Sequence, residues 1–66
     1  MKAVFIGFGS IARRHLANLR AVRPDVQVLA LRQKADPVPG VDIVTSDWSE
    51  LLAFGPDIAF VTSPSN

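Results

Sequence analysis

Short apolar runs alternate along this chain with segments of helical spacing, and this alternation predicts four strands and two helices. The apolar runs are continuous, as in strands that are buried on both faces of a parallel sheet. The prolines and the glycine of segment 36–40 predict a loop between the second and third strands. The predicted strands are Ala3–Ile6, Val26–Leu31, Val41–Thr45 and Asp57–Thr62.

The first predicted helix follows a glycine-containing turn and ends before a proline. Ser10 can cap the start of this helix. Pro24 ends it at Arg23, because a residue that precedes proline avoids the helical conformation. An apolar stripe with steps of four and three residues runs along it at Ala12, Leu16 and Leu19.

The second predicted helix is Trp48–Phe54. Ser46 or Asp47 caps its start, and Glu50 follows Asp47 at close to the spacing of a capping box. The Gly-Pro pair at 55–56 stops the helix before the fourth strand.

The glycine turn between the first strand and the first helix has the form G-x-G-x-x-A. Such a turn lays a nucleotide pyrophosphate against a helix N-terminus. In this form Gly7 permits the tight turn, Gly9 lets backbone amides approach the phosphates, and Ala12 allows close contact between helix and strand. The candidate cofactor-binding residues of the turn are Gly7, Phe8, Gly9, Ser10 and Ile11.

The same turn also occurs in two other kinds of site. One is a β–α turn that binds no ligand, and this alternative stays open. A Walker-type ATPase is excluded, because no Gly-Lys-Ser/Thr sequence follows the glycines.

The order of the elements predicts an α/β fold. Strands that alternate with helices give a parallel sheet with right-handed crossovers. Because the glycine turn follows the first strand, we expect the parallel sheet to be of the Rossmann type, with the spatial strand order 3-2-1-4. In such a sheet the cofactor lies over the switch point between strands 1 and 4. We therefore expect residues 1–66 to be the N-terminal portion, with the first four strands, of a dinucleotide-binding domain that is incomplete here.

The residue near the end of the second strand indicates which nucleotide is bound. NAD-binding domains usually carry an acid about 20 residues beyond the glycine turn, where it bonds the ribose hydroxyls. Arg32 occupies this place, and the next acid is Asp36. A cation here suits a 2′-phosphate, so NADP is favoured over NAD. A solvated charged loop is the alternative, and a flavoprotein, which usually has Glu here, is disfavoured.

The end of the fourth strand supplies the third candidate segment. Thr62, Ser63 and Pro64 come where this strand meets the carboxyl edge of the sheet, and ligands of such folds bind at that edge. They are candidate cofactor-binding residues. The alternative is a strand that simply ends in a polar turn.

The bulk composition excludes several function classes. The chain has 66 residues, a net charge of +1 and no cysteine. No basic patch argues for nucleic acid, and no apolar stretch approaches the ~18 residues of a membrane span. We expect a cytoplasmic protein that binds neither nucleic acid nor membrane. His15 is the one histidine, so it has no second His or Cys ligand for a metal and is expected to be a packed or surface residue.

Taken together, these motifs resemble the Gfo/Idh/MocA oxidoreductase family. That family opens with a strand and G-x-G-x-[IM]-[GA], then a helix with R-x-H and an N-L pair, which here are residues 7–12, 13–15 and 18–19. An acid-Leu-Leu helix at 50–52 and the strand end Asp57–Pro64 also match, so the resemblance spans essentially the whole chain. The E-K-P motif with the catalytic lysine of the family has no counterpart, since neither Lys2 nor Lys34 precedes proline.

The resemblance implies a longer NAD(P)-dependent oxidoreductase. Such an enzyme transfers hydride between nicotinamide and a hydroxyl-bearing carbon of a sugar, cyclitol or similar small molecule. The catalytic residues and the α+β domain for the small-molecule substrate are expected to lie outside residues 1–66, and a homo-oligomer is expected. By itself the chain should show no turnover and should self-associate through its apolar fourth strand. The alternative is a non-catalytic nucleotide-binding module or an inactive fragment.

Overall fold

The computed structural model describes residues 1–34 and 36–62. In these residues the chain forms four strands and two helices in the predicted order, which is an α/β architecture. The elements are β1 (Lys2–Ile6), α1 (Ser10–Val22), β2 (Gln27–Leu31), β3 (Ile43–Thr45), α2 (Trp48–Phe54) and β4 (Ile58–Val61).

The strands form one parallel sheet in the order β3-β2-β1-β4, which confirms the predicted order for the described residues. β1 lies inside the sheet, where Val4 is opposite Leu29 of β2 and Ala59 of β4. Because the strands are parallel, their carboxyl ends meet at one side of the sheet, which we call the carboxyl edge; the opposite side is the amino edge. The strand ends at the carboxyl edge are Ile6, Leu31, Thr45 and Val61.

The two helices cover opposite faces of the sheet. Successive side chains of a strand point to opposite faces. Accordingly, Phe5 belongs to the same buried cluster as Leu16 of α1, whereas Val4 belongs to the cluster that contains Leu51 of α2. Burial on both faces is the physical reason that the apolar runs of β1 and β2 are continuous rather than alternating.

The start of α1 differs from the prediction. Ser10 is the first residue of the helix and Gly9 is the N-cap, with no side-chain hydrogen bond to cap it. The prediction that Ser10 caps this helix is therefore wrong. The backbone of Gly9 is already extended, and its carbonyl accepts the N–H of Arg13 at 3.1 Å, so the first helical turn closes there. At the other end, Arg23 is the C-cap, one residue beyond Val22.

β3 begins two residues later than predicted. The N–H of Val41 closes a turn on the carbonyl of Val38 at 3.2 Å. The next residue, Asp42, exchanges bonds with Val28: its N–H donates to the Val28 carbonyl at 3.0 Å, and its carboxylate accepts the Val28 N–H at 2.7 Å. That carboxylate also pairs with Arg20 of α1 at 3.3 Å. A turn and a side-chain bridge thus replace the first residues of the predicted strand.

α2 has the predicted bounds, and Asp47 is its N-cap. The Asp47 carboxylate accepts the N–H of Ser49 at 2.8 Å. The capping-box spacing of Glu50 is not used, because the N–H of Asp47 already donates to the hydroxyl of Thr45 at 3.1 Å. Gly55 ends the helix in the left-handed conformation, at φ 66°, as its place in the sequence predicts.

β4 lies at an edge of the described sheet and carries no charged residue. The side chains of Ile58 and Val61 are 40% and 73% exposed. An apolar edge strand without charge or proline is an open surface for pairing with another chain. Self-association through β4 stays a prediction.

The N-cap of α2 should make the free energy of unfolding depend on pH in the acid range. Hydrogen bonds from the Ser49 hydroxyl, and secondly from its N–H, lower the pKa of Asp47 below its ordinary value of 3.8. A lowered folded-state pKa contributes stability that is present above the unfolded pKa and is lost as pH falls through the folded one. In urea titrations from about pH 5 to about pH 3, the midpoint of the native chain should fall more steeply than that of Asp47→Asn.

The Asn variant keeps a side-chain oxygen that can accept the Ser49 N–H, so the comparison isolates the charge. Ser49→Ala removes the hydroxyl donor but keeps the N–H, and its pH dependence should lie between the other two. Parallel pH profiles for the native chain and Asp47→Asn would contradict this account.

Candidate functional site

The glycine turn leaves the sheet at the carboxyl end of β1. Gly7 adopts φ 79°, a left-handed conformation that residues with a Cβ rarely take. Its N–H donates to the carbonyl of Leu31 at the end of β2, at 2.8 Å. The turn is therefore attached to the strand on one side of β1 and needs glycine at its first position.

Thr62 attaches the same turn to the other neighbouring strand. Its hydroxyl donates to the carbonyl of Gly7 at 2.6 Å, and its N–H donates to the carbonyl of Ile6 at 3.0 Å. The sequence predicted Thr62 as a cofactor contact. In the structure its hydroxyl proton points to the turn, so a ligand could use only the remaining acceptor capacity of this oxygen.

The N-terminus of α1 is open to an anion. The first backbone N–H groups of a helix have no partner inside the helix and carry partial positive charge. Here no side chain caps them, and the first turn contains no acidic residue. A groove of about 200 Å³ borders this helix end, lined by Gly9, Ser10, Ile11 and Thr62.

Gly9 is not required by the fold itself. Its φ of −128° and ψ of −155° are extended backbone that any residue adopts. A Cβ built on Gly9 would meet no atom within 4 Å and would stand in open space. Glycine is among the preferred residues at an N-cap, but neither a positive φ nor close packing requires it here.

A second cleft, of about 240 Å³, lies on the other side of Gly7, between the ends of β1 and β2 and the start of α2. Arg32 directly follows β2, and its backbone N–H donates to the carbonyl of Thr45 at 2.9 Å, which attaches it to the end of β3. The half-buried Arg32 side chain has no ion-pair or hydrogen-bond partner among residues 1–34 and 36–62. The cleft is lined by Ile6, Gly7, Leu31, Arg32, Gln33, Ser46 and Trp48.

Trp48 is a candidate site residue that sequence reasoning missed. It is 56% exposed and lines the same cleft as Arg32, sixteen positions away along the chain. A tryptophan at the first position of a helix that follows a strand was the available signal. Its place beside Arg32 depends on the neighbouring positions of β2 and β3, which the sequence pattern alone did not connect to this side chain.

The structure brings most of the predicted site residues to the carboxyl edge, but with different exposures. Gly9, Ser10 and Ile11 line the groove at the start of α1. Phe8 instead packs edge-on against the ring of Phe5, with 5.5 Å between ring centroids and an interplanar angle of 81°, so a ligand would meet its backbone. Ser63 and Pro64 lie outside the described residues.

Neither a cluster of metal ligands nor a membrane-spanning helix occurs among residues 1–34 and 36–62. Among the described residues, no group of three or more His, Cys, Asp or Glu side chains could hold a metal ion. No helix in the same part of the chain is long and apolar enough to cross a bilayer. Comparison of the chain with protein-family models, with curated proteins and with solved structures finds no match.

Proposed function

We propose that this chain is the nucleotide-binding part of an NAD(P)-dependent oxidoreductase with a Rossmann-type fold, and that NADP is the favoured cofactor. The parallel sheet order β3-β2-β1-β4 fits such a fold. The groove at the start of α1 and the cleft beside Arg32 both open at the carboxyl edge, where such folds bind nucleotides. Two anion-binding features at one edge suit a ligand that carries a pyrophosphate and a further phosphate.

The observation that carries the proposal is the free space at Gly9. The uncapped N–H groups of the first turn of α1 attract phosphate oxygens. They can be approached closely because no Cβ stands at residue 9, although the backbone there would accept one without strain. Glycine is also one of the preferred N-cap residues, and a ligand adds a need for open space at this position.

The residues present fit the parts of NADP. The first-turn N–H groups would hold the pyrophosphate, and the planar guanidinium of Arg32 would pair with the 2′-phosphate. The exposed indole of Trp48 offers a stacking surface for the purine in the same cleft. When bound, the nicotinamide ring of the cofactor supplies the hydride chemistry, and this chain contributes binding and orientation.

A non-catalytic nucleotide-binding module is the second candidate, and it needs no proton donor at the site. The Lys2 ammonium donates to the carbonyl of Phe54 at 3.2 Å and lies 5.4 Å from the centroid of the Phe54 ring. That contact is at the amino edge, across the sheet from the proposed site. Lys2 therefore does not supply a proton donor near the cofactor.

Gly9→Val should weaken NADPH binding strongly without unfolding the chain. The valine side chain would occupy the groove that the phosphates need, while φ −128° suits a β-branched residue. Loss of one or more charge-assisted hydrogen bonds should weaken NADPH binding roughly tenfold to a hundredfold. Calorimetric titration measures the affinity, and circular dichroism checks the fold.

Gln27→Val is the matched control for this experiment. It introduces the same side chain at an exposed position of β2 on the amino edge, so it should leave the affinity unchanged. Native affinity in a folded Gly9→Val variant would reject the pyrophosphate site.

Arg32→Ala should remove the preference for NADP over NAD. A hydrogen-bonded pair of charged groups contributes about 1.5–3 kcal/mol, so the ratio of the two dissociation constants should fall about tenfold or more. The change should appear in the affinity for NADP, while the affinity for NAD stays nearly constant. Arg32→Lys should keep only part of the preference, since it lacks the planar fork.

Lys34→Ala is the control for long-range charge, because Lys34 is exposed and does not line the cleft. An equal loss of NADP preference in Lys34→Ala and Arg32→Ala would assign the effect to net charge. An unchanged ratio in Arg32→Ala would reject Arg32 as the residue that reads the 2′-phosphate.

The 66-residue chain should bind NADPH and yet oxidise or reduce no small-molecule substrate. Fast hydride chemistry needs a proton donor or acceptor within reach of the reacting hydroxyl. NADPH absorbance, followed with a panel of polyols and the corresponding ketones, measures turnover. Turnover by the isolated chain would contradict the proposal that these residues only bind and orient the cofactor.

A further inference from the structure

Four aromatic rings form a continuous series from the glycine turn to α1, which we call the aromatic stack. Phe5 and Phe60 lie face to face, with ring centroids 4.8 Å apart and an interplanar angle of 13°. Phe8 meets Phe5 edge-on at 5.5 Å, and His15 lies nearly parallel to Phe60 at 6.0 Å and 18°. Contacts of this geometry are stabilising beyond the area that they bury.

Each ring of the aromatic stack comes from a different part of the fold. Phe8 belongs to the glycine turn, and Phe5 and Phe60 are register partners on β1 and β4. His15 belongs to α1 and is exposed at the outer end of the stack. The stack therefore links α1 to the two strands whose ends flank the proposed phosphate groove.

His15 contacts β4 through the face of its ring. Neither ring nitrogen has a hydrogen-bond partner in the described part of the chain, so the stacking on Phe60 is its contact with the sheet. The buried residues of α1 are Ala12, about one turn before His15, and Leu16, directly after it. Ala12 offers only a methyl group, so the ring of His15 adds an aromatic contact between the N-terminal half of the helix and β4.

We propose that His15 is a positioning residue for the anion site at the start of α1, an inference that rests on the proposed function for the identity of the ligand. The ring of His15, one turn further along α1, lies on Phe60 and thereby restrains the first turn above the ends of β1 and β4. The hydroxyl of Thr62 holds Gly7 from the strand side. Together they keep the first N–H groups aimed at one place before any ligand arrives, and such preorganisation raises affinity.

The first test needs no ligand. His15→Ala removes the ring and keeps a strong helix former, whereas His15→Phe keeps a ring that can stack on Phe60. Amide hydrogen exchange, resolved by NMR, should be roughly three- to tenfold faster at Arg13 in His15→Ala, because an aromatic pair is lost. The Arg13 N–H bonds to Gly9 and therefore reports directly on the first turn.

His15→Phe should restore the native exchange rate at Arg13. Asn18→Ala, at an exposed position further along α1, should leave it unchanged. Exchange at Leu29, in the buried part of β2, should stay native in all three variants if the effect is local. Native exchange at Arg13 in His15→Ala, or no recovery in His15→Phe, would overturn the proposal.

The second test is the affinity for NADPH in the same variants. We expect a loss of roughly three- to tenfold in His15→Ala, with recovery in His15→Phe. If Arg13 exchange responds as expected but the native chain binds no NADPH, the proposed function fails while the positioning of the turn stands. If the native chain binds NADPH and His15→Ala binds it equally well, the proposed function stands and the role of His15 fails.

Discussion

The carboxyl edge of this sheet depends on how the chain turns at Gly7. The residue is held from both sides, because its N–H donates to Leu31 of β2 and its carbonyl accepts the hydroxyl of Thr62 after β4. Its φ of 79° sends the chain away from the sheet within two residues of the last strand position. A side chain at this position would strain that turn and shift the start of α1, and with it the N–H groups of the proposed phosphate groove.

The turn at Gly7 can be held from both sides because β1 lies inside the sheet, between β2 and β4. Both neighbours of β1 are parallel to it and end at the same level, so Leu31 and Thr62 reach the turn from opposite sides. The groove at the start of α1 lies on the β4 side of Gly7, and the cleft beside Arg32 lies on the β2 side. A ligand with phosphates at both places would cross the turn itself.

Charged groups are used differently at the two edges of the sheet. At the amino edge Arg20 is partnered: it donates to the carbonyls of Val26 and Gly40 at 3.0 and 2.7 Å, and it pairs with Asp42. The Asp57 carboxylate accepts the backbone N–H of Lys2 at 2.8 Å. At the carboxyl edge the Arg32 guanidinium and the uncapped end of α1 have no such partners within the described residues. The partnered charges at the amino edge therefore stabilise the fold, whereas Arg32 and the first N–H groups of α1 are not used in this way.

The order of the strands was predicted from the glycine turn and the Rossmann-type fold that it indicates. The sequence by itself also determined the elements, and it limited the cap of α2 to Ser46 or Asp47. These follow from local patterns, since apolar runs, helical stripes and Gly-Pro breaks act over a few residues. It misjudged the start of α1, where Gly9 rather than Ser10 is the N-cap, because either residue type suits that position. Of the proposed site it gave the glycine turn and Arg32, whose positions follow from spacing along the chain.

Only the tertiary structure decided which distant groups meet. Thr62 reaches Gly7 across 55 positions of sequence, and Trp48 joins Arg32 in one cleft. The ring of His15 finds Phe60 for the same reason. Each contact depends on strand order, register and the face that a helix covers, all of which are set jointly by packing of the whole sheet. The pattern of residues around any one position does not contain that information.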